Sequence, residues 1–185
     1  MKAVSKAAAA LGREWAGRDR PVLIDVGSGG GWAARYLPDA DVVGIDLLDA
    51  EARPGEVRVR GDMRRLPIRD ATIDAAFYAA SLHYAPIEDS IREAARVLRP
   101  GGVLIAVDSP IYRDGTAQAR AKARSAKYYA DAGFPELAEH YHPIDVTRLR
   151  AALTDAGFVV ISLDLGKTLV RRGPSFLMAR RTGYP

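Results

Sequence analysis

The order of elements along the chain predicts an α/β fold built on a doubly wound, mostly parallel sheet. Three observations support this prediction. Segments of strand composition alternate with segments of helical periodicity, a glycine-rich turn at 27–31 follows the first strand, and an acidic residue, Asp46, ends the second strand. At the carboxyl edge of such a sheet, glycine turns let backbone N–H groups approach a ligand. We therefore expect a binding site at that edge.

Short apolar segments bounded by turn residues predict the strands. The first, 22–26, has four apolar residues out of five, and in the third Val57 and Val59 alternate with arginines. The predicted strands are 22–26, 42–45, 57–60, 73–78, 103–107, 158–163 and 175–179.

Helical periodicity predicts the helices between these strands. The clearest one spans 86–98, where apolar residues recur at helical spacing until Pro100 and two glycines end it. Asp145 can cap a later helix, which Gly157 ends. The predicted helices are 3–16, about 31–37, 86–98, 117–130 and 146–156.

With 185 residues the chain is long enough for one well-packed domain, and we expect a single domain over 1–185. The segment 109–143 interrupts the alternation of strands and helices. It is rich in alanine and basic residues, lacks a strong apolar stripe, and ends in the polar-aromatic run His140-Tyr141-His142. We predict that 109–143 is a lid-like insertion at the carboxyl edge of the sheet, mobile alone and ordered over the site when ligands bind.

The composition narrows the classes of protein that this chain can be. There is no cysteine, which excludes disulfides, cysteine–zinc sites and cysteine nucleophiles. The first residues do not form a signal sequence, and no run approaches the roughly 20 apolar residues of a membrane span. We therefore expect a cytoplasmic protein without a membrane partner. The net charge of +4 only slightly favours an anionic substrate or nucleic acid.

The glycine turn distinguishes between two classes of nucleoside cofactor. The dinucleotide fingerprint G-x-G-x-x-G/A needs a small third residue for close helix–strand packing, and Trp32 stands at that position. The pattern that begins at Asp25 is instead D-x-G-x-G-x-G, and Asp46 lies 21 residues after Asp25. An acid there suits a hydrogen bond to a ribose diol. The sequence thus predicts a nucleoside site and argues against an NAD-linked reductase.

This pattern resembles motif I of the class I S-adenosylmethionine (SAM) dependent methyltransferases, and the segments 61–63, 73–84 and 96–105 resemble three further motifs of that family. Together they are similar to the methyltransferase type 11 pattern. The resemblance implies SAM as the cofactor, and a Rossmann-like methyltransferase fold whose seven-stranded sheet has an antiparallel last strand. The cofactor-binding residues that it implies are Asp25, Gly27, Gly29, Gly31, Asp46, Leu47, Asp62, Met63 and Ala79.

The resemblance also assigns parts of the cofactor to these residues. The methionine end of SAM is expected near the turn at 27–31, and the ribose near Asp46. The carboxylate of Asp62 would accept the adenine amino group, while the N–H of Met63 meets the ring. Asp74, at the head of the fourth strand, is expected to have a structural role.

The residues after the fourth strand concern the methyl acceptor. Ala79-Ala80-Ser81 stands where methyltransferases of exocyclic amines in nucleic acids carry a Pro-Pro-aromatic motif, so we expect a small-molecule acceptor. If that acceptor must lose a proton, His83 is the first candidate base and His142 the second, while Asp108 could instead position the acceptor. His83 is equally well explained as a residue of a helix entry without a catalytic task.

Two alternatives complete the sequence-based hypotheses. His140, His142 and Asp145 could be imagined as metal ligands, but a role in the insertion or in substrate contact is favoured, and we predict no metal. The other functional class is a non-catalytic SAM- or nucleoside-binding module or partner subunit. An intact set of cofactor residues argues against it. The oligomeric state is left open.

Overall fold

The computed structural model describes residues 2–31, 33–36, 40–48, 57–166 and 174–183. The strands are β1 (Val22–Val26), β2 (Asp41–Asp46), β3 (Val57–Arg60), β4 (Ile73–Ala79), β5 (Leu98–Val107), β6 (Ile111–Tyr112), β7 (Ile144–Asp145), β8 (Phe158–Asp164) and β9 (Phe176–Arg181). The α-helices are α1 (Lys2–Glu14), α2 (Ile87–Val97), α3 (Gly115–Asp131) and α4 (Val146–Asp155).

The main sheet has seven strands in the order β3-β2-β1-β4-β5-β9-β8. Strands β1 to β5 pair in parallel, whereas β9 pairs antiparallel to both β5 and β8. The predicted fold class is therefore confirmed, including the antiparallel last strand. The order reverses between β1 and β4, and in open α/β sheets ligands bind at the carboxyl ends of the strands beside such a switch point.

Helices cover both faces of the sheet, as a doubly wound fold requires. Along β4, Ala75 and Phe77 belong to the apolar cluster on the side of α1, whereas Ala76 and Tyr78 belong to the cluster on the side of α2 and α4. All four residues are buried, because successive strand residues point to opposite faces and both faces are covered. This double burial explains why the central strands are continuous apolar runs and do not alternate with polar residues.

Local sequence signals explain where several helices begin. The Asp145 carboxylate accepts hydrogen bonds from the N–H groups of Thr147 and Arg148, so the predicted cap of α4 is confirmed. Asp114 caps α3 in the same way through the N–H of Ala117. In α2, Glu88 and Asp89 lie in the first turn and Arg96 in the last, and these charges stabilise the helix by interacting favourably with its dipole.

The structure corrects three of the predicted elements. Of the helix expected over about 31–37, only Ala33–Tyr36 is seen, as a 3-10 turn, while Trp32 and Leu37 lie outside the described residues. The fifth strand starts at Leu98 and not at Val103, with an irregular register where Ile73 pairs with Leu98 before Ala75 pairs with Val103. The first helix ends at Glu14.

The insertion has more structure than the sequence predicted. Besides α3, it contains a 3-10 segment at Pro135–His140. Strands β6 and β7 pair in parallel through Ile111 with Ile144 and Tyr112 with Asp145, and they form a separate two-stranded sheet. The segment between β6 and β7 therefore begins and ends at this two-stranded sheet. Within the ranges that the structure describes, no helix has the length and apolar character needed to cross a membrane.

Candidate functional site

The turn after β1 lies at the carboxyl edge of the sheet, and its backbone needs glycine. Gly27, Gly29 and Gly31 have φ values of +72°, +50° and +68°, a region that residues with a Cβ enter only at a cost. A Cβ on Gly29 would have nothing within 4 Å. The backbone of Gly29 therefore borders open space, as expected where a ligand approaches the turn.

Gly27 is needed for a second reason, which is close packing. A Cβ at Gly27 would lie 2.5 Å from the Cβ of Ser81 and 3.5 Å from the Cε of Met63. The Ser81 hydroxyl donates a hydrogen bond to the carbonyl oxygen of Val26. The turn after β1, the loop after β4 and Met63 thus meet at one point, which the absent side chain of Gly27 makes possible.

Asp46 reaches the same turn from the end of β2. Its Oδ2 accepts a hydrogen bond of 2.8 Å from the N–H of Gly29, and its Oδ1 accepts one of 2.9 Å from the N–H of Leu48. The guanidinium of Arg58, on β3, donates to the carbonyl oxygen of Gly29. The Gly29 residue is thus held from both sides, and Asp46, half-buried, keeps further lone pairs for a ligand.

Three other predicted cofactor residues have different environments. Asp25, in β1, is 1% exposed and belongs to the strand that carries the turn. Leu47 is 54% exposed directly after Asp46. Ala79 is half-buried at the end of β4, and Ala80 after it has a φ of +56°. Asp25 is thus buried in the sheet directly before the turn, whereas Leu47 is exposed and Ala79 half-buried where β2 and β4 end.

Asp62 follows β3 and is engaged by a residue that the sequence analysis did not single out. Arg64 donates to both carboxylate oxygens, with Nη2 2.6 Å from Oδ2 and Nε 3.0 Å from each oxygen. The hydrogen bond from Arg64 is the main reason that the pKa of Asp62 lies below its usual range. Asp62 therefore stays ionised, and an adenine amino group would share this carboxylate with Arg64 or displace it.

Asp74 lies at the opposite edge of the sheet, and its expected structural role is confirmed. Its Oδ2 accepts a hydrogen bond of 2.8 Å from the N–H of Val22, at the start of β1. Arg18 and Arg99 pair with its Oδ1. This carboxylate ties the beginnings of β1 and β4 together, away from the edge that carries the glycine turn.

His83, the first candidate base, lies in the 3-10 turn that follows β4 and is 7% exposed. Burial lowers the pKa of its imidazole to about 4, so the ring is neutral at physiological pH. Its Nδ1 is buried and has no hydrogen-bond partner among the residues that the structure describes. A neutral imidazole with a free nitrogen is the form that can accept a proton.

His142, the second candidate base, lies beside the first. Its N–H donates a hydrogen bond of 2.8 Å to the carbonyl oxygen of His83. Burial lowers the pKa of His142, and Lys122, His140 and Arg64 lower it further. The end of the insertion therefore rests on the loop after β4, and the structure brings the two candidate histidines together.

The remaining candidates are placed as follows. Asp108, after β5, is exposed, has a φ of +57° and donates its N–H to the carbonyl oxygen of Ser175. Asp145 caps α4 with its carboxylate and is not turned to a shared site with the histidines. Over the described ranges, no group of three or more His, Asp and Glu side chains is arranged to hold a metal ion.

Sequence reasoning missed the residues that depend on tertiary proximity. Arg58, Arg64 and Ser81 contact the predicted cofactor residues but carry no motif of their own. Two of them could have been suspected, because Arg58 lies on a strand next to β2 and Arg64 lies two residues after Asp62. The Ser81 contact needs the pairing of β1 with β4, which spacing alone does not reveal.

Comparison with known proteins agrees with this geometry. Residues 24–106 match the family model of a methyltransferase domain. The malonyl-acyl-carrier-protein O-methyltransferase of Dechloromonas aromatica (strain RCB) is 38% identical over 90 residues, which are 44% of this chain and 34% of that protein. The chain spans about a third of the length of the first curated relatives it matches.

Solved structures match over nearly the whole chain. The geranyl diphosphate C-methyltransferase from Streptomyces coelicolor A3(2), in complex with Mg²⁺, geranyl diphosphate and S-adenosyl-L-homocysteine (SAH), has a TM-score of 0.70 at 16% identity, covering 96% of this chain and 80% of that one. The (4+2)-cyclase SpnF has a TM-score of 0.70 at 17% identity, with the same coverage. Likeness at this identity shows the fold, and proteins with the fold carry names of different reactions.

The matched region 24–106 contains the glycine turn, Asp46, Asp62 and the loop with His83 in the order that the sequence analysis found. The fold with its seven-stranded sheet matches the solved structures over 96% of the chain. Residues 24–106 thus match a methyltransferase domain, and the chain has the fold of the methyltransferases that it resembles.

Proposed function

We propose that this protein is an enzyme that transfers the sulfonium methyl group of SAM to a small-molecule acceptor. The observation that carries the proposal is the convergence at the carboxyl edge of the sheet. There the open backbone of Gly29 is bonded to Asp46, and Gly27 packs against Ser81 and Met63. The chemistry of these groups fits a nucleoside with an amino-acid tail, because backbone N–H groups, carboxylates and a thioether lie side by side.

Each residue has a distinct task in this proposal. The turn at 27–31 would hold the methionine end, Asp46 the ribose hydroxyls and Asp62 with Met63 the adenine. When bound there, SAM would supply a methyl group on a positively charged sulfur, which leaves with the C–S electron pair as the acceptor nucleophile bonds to the methyl carbon. The protein needs mainly to align the reacting atoms and to exclude water.

His83 would take the proton when the acceptor nucleophile is an O–H or N–H group. Its Nδ1 has no hydrogen-bond partner among the described residues and is free to take a proton, but the burial that lowers the pKa of the ring to about 4 makes it a weak base. His142, which is bonded to the backbone of His83, would help to enclose the acceptor. The finer proposals, a small-molecule acceptor and a cytoplasmic location, rest on the absence of a nucleic-acid amine motif after β4 and on the composition.

Asp46→Ala tests the cofactor site. Calorimetry should show SAM binding weakened by about 1.5–3 kcal/mol, the scale of a hydrogen bond to a charged group, because Asp46 both contacts the ribose and holds the N–H of Gly29. Gly29→Val should block binding, since it places a branched side chain where the ligand approaches. Asp41→Ala is the matched control, because Asp41 starts the same strand at the opposite edge and pairs with Arg20.

The outcomes separate the functional classes. SAM affinity that is unchanged in both site variants would refute the assignment of the site, and tighter binding of NAD than of SAM would favour a reductase. Methyl transfer from labelled SAM to small molecules of a cell extract supports the enzyme. SAM binding without transfer to any component of the extract would instead support a non-catalytic binding module.

A further inference from the structure

The carboxylate of Asp62 is fully engaged by one neighbouring residue, Arg64. Its Oδ1 accepts hydrogen bonds from the backbone N–H of Arg64 at 2.8 Å and from Nε at 3.0 Å, and its Oδ2 accepts from Nε at 3.0 Å and from Nη2 at 2.6 Å. An ionised carboxylate offers about four lone-pair sites. Each oxygen therefore already accepts two hydrogen bonds, and a further donor can bond to Asp62 only by replacing one of them.

Backbone contacts place Asp62 beside the acid that we propose for the ribose. The N–H of Gly61, directly before Asp62, donates a hydrogen bond of 2.9 Å to the carbonyl oxygen of Asp46. Directly after Asp62, the Cε of Met63 lies 3.5 Å from the position that a Cβ on Gly27 would take. A nucleoside whose ribose is bound by Asp46 would therefore have Asp62 and Met63 as the next groups that its base can contact.

The guanidinium of Arg64 can leave Asp62 without disturbing the backbone of this turn. The N–H of Arg64 is bonded to the Asp62 carboxylate, and the N–H of Arg65 donates a hydrogen bond of 3.0 Å to the Asp62 carbonyl oxygen. Both bonds come from main-chain donors and stay when the Arg64 side chain rotates. That side chain is 57% exposed and the side chain of Asp62 is 29% exposed. Water therefore replaces the lost bonds to Arg64 at low cost.

We propose that Arg64 determines which base the cofactor site prefers, because its guanidinium competes with the amino group of adenine for the carboxylate of Asp62. The inference rests on the proposed function and adds a specificity-determining residue to it. Adenine can bond to Asp62 only when a contact between the Arg64 side chain and this carboxylate is broken. The molecules in which the contact is intact do not offer the site to adenine, and this lowers the apparent affinity for the cofactor.

A base with an oxygen in place of the amino group would meet the same ion pair differently. Such an oxygen accepts hydrogen bonds and is repelled by the ionised Asp62. The guanidinium of Arg64, in contrast, keeps N–H groups that Asp62 does not use. A 6-oxo base can therefore bond to Arg64 while the ion pair stays intact. Arg64 thus disfavours adenine, favours a 6-oxo base and narrows the difference in affinity between them.

Calorimetry with two ligands tests the inference. One is SAH, and the other is S-inosylhomocysteine, which carries an oxygen where SAH has the amino group. SAH has no net charge at neutral pH, so the loss of a cation from the protein has little long-range effect on its binding. Arg64→Met should bind SAH about two- to fivefold more tightly than the wild-type protein, the scale of an exposed ion pair. It should bind S-inosylhomocysteine no more tightly than the wild-type protein does.

Two further proteins show whether the effect depends on the contact with Asp62. Arg65→Met is the matched control, since Arg65 is the next residue, is exposed, and has a side chain without a hydrogen bond or ion pair to any described residue. Its SAH affinity should equal that of the wild-type protein. In an Asp62→Ala background, Arg64→Met should not increase SAH affinity, because the competition needs both side chains.

Four results would overturn the inference. The first is SAH affinity in Arg64→Met that does not exceed that of the wild-type protein, and the second is an equal gain for SAH and S-inosylhomocysteine. The third is an equal gain in Arg65→Met, and the fourth is a gain from Arg64→Met that persists in the Asp62→Ala background. A wild-type protein that does not bind SAH would instead contradict the proposed function itself, so the two failures are distinguishable.

Discussion

At the scale of single residues, Gly27 shows how a missing side chain shapes the cofactor edge. Its φ of +72° and the 2.5 Å separation between its virtual Cβ and the Cβ of Ser81 are separate constraints. The first belongs to the turn after β1, and the second belongs to the contact of that turn with the loop after β4. Only glycine satisfies both.

Gly27→Ala should therefore destabilise the protein by about 2–5 kcal/mol, the sum of the left-handed backbone cost and overpacking. Gly101→Ala, at a φ of +78° with open space around the virtual Cβ, should cost only about 1 kcal/mol. Urea denaturation measures both variants. Adding Ser81→Gly to Gly27→Ala should recover part of the loss, and an equal cost for Gly27→Ala and Gly101→Ala would show that packing at Ser81 is unimportant.

His83 predicts a pH dependence of stability with a definite sign. Its pKa is about 4 in the folded protein and near its usual value in the unfolded chain, so between these values the unfolded chain binds more protons. The stability that His83 contributes is complete above the unfolded pKa and is lost as the pH falls through this window. Between pH 7 and pH 5 the loss should be about 2 kcal/mol relative to His83→Gln. If the wild-type protein and His83→Gln lost the same stability between pH 7 and pH 5, a group other than His83 would be responsible for the pH dependence.

At the scale of elements, α2, which follows the loop after β4, contacts the segment 61–68 that follows β3. Arg96 donates to the carbonyl oxygens of Leu66 and Ile68, at 2.9 and 2.8 Å, and to Glu93. Glu93 in turn accepts a hydrogen bond of 2.8 Å from the N–H of Leu66. Pro67, between these residues, packs so closely that a Cβ on Gly61 would lie 2.6 Å from its Cδ. This network thus supports the backbone that presents Asp62 and Met63.

Arg96→Met should weaken recognition of the adenine amino group, because the segment behind Asp62 loses its anchor. The measurement compares the binding of SAH with that of S-inosylhomocysteine, in which that amino group is absent. The preference for SAH should fall several-fold in Arg96→Met and persist in Arg92→Met, a control on the same helix whose guanidinium pairs only with the exposed Asp89 among the described residues. An unchanged preference in Arg96→Met would limit the network to a role in stability.

Sequence-based prediction succeeded for some structural elements and failed for others. Strand composition and glycine spacing located β1, the turn after it and Asp46, because these features are determined locally. The helix expected over about 31–37 was wrong for a physical reason: between Gly31, in the left-handed region, and Pro38 the sequence has room for little more than one turn. The contacts of Ser81 with Val26 and of His142 with His83 could not be predicted, since they join residues from separate segments.

At the scale of the whole molecule, the insertion remains the element whose role is a prediction. Ala121 is the only residue of α3 that is fully buried among those described. The contact of Gln118 with Pro143 lies within the insertion, and the hydrogen bond from His142 to His83 holds the insertion against the loop after β4. Little apolar burial and a few polar contacts are the features of a segment that opens at low cost.

Hydrogen exchange should show weak protection of 112–141 in the free protein and strong protection when SAM and acceptor are bound. Deletion of 112–141 should abolish methyl transfer while SAM affinity stays within about tenfold, roughly 1.4 kcal/mol. Strong protection of 112–141 in the free protein, unchanged by either ligand, would indicate a permanently ordered structural element and contradict the prediction of a lid.

The pairing of β6 with β7 has a consequence for how this protein can change. Because Ile111 and Tyr112 pair with Ile144 and Asp145 in a separate two-stranded sheet, the two ends of the insertion lie side by side. An insertion whose two ends are paired in this way can be lengthened, shortened or exchanged without moving the strands that precede Gly29 and end at Asp46. If the insertion encloses the acceptor as predicted, chimeras joined at β6 and β7 should change the acceptor while the affinity for SAM stays the same.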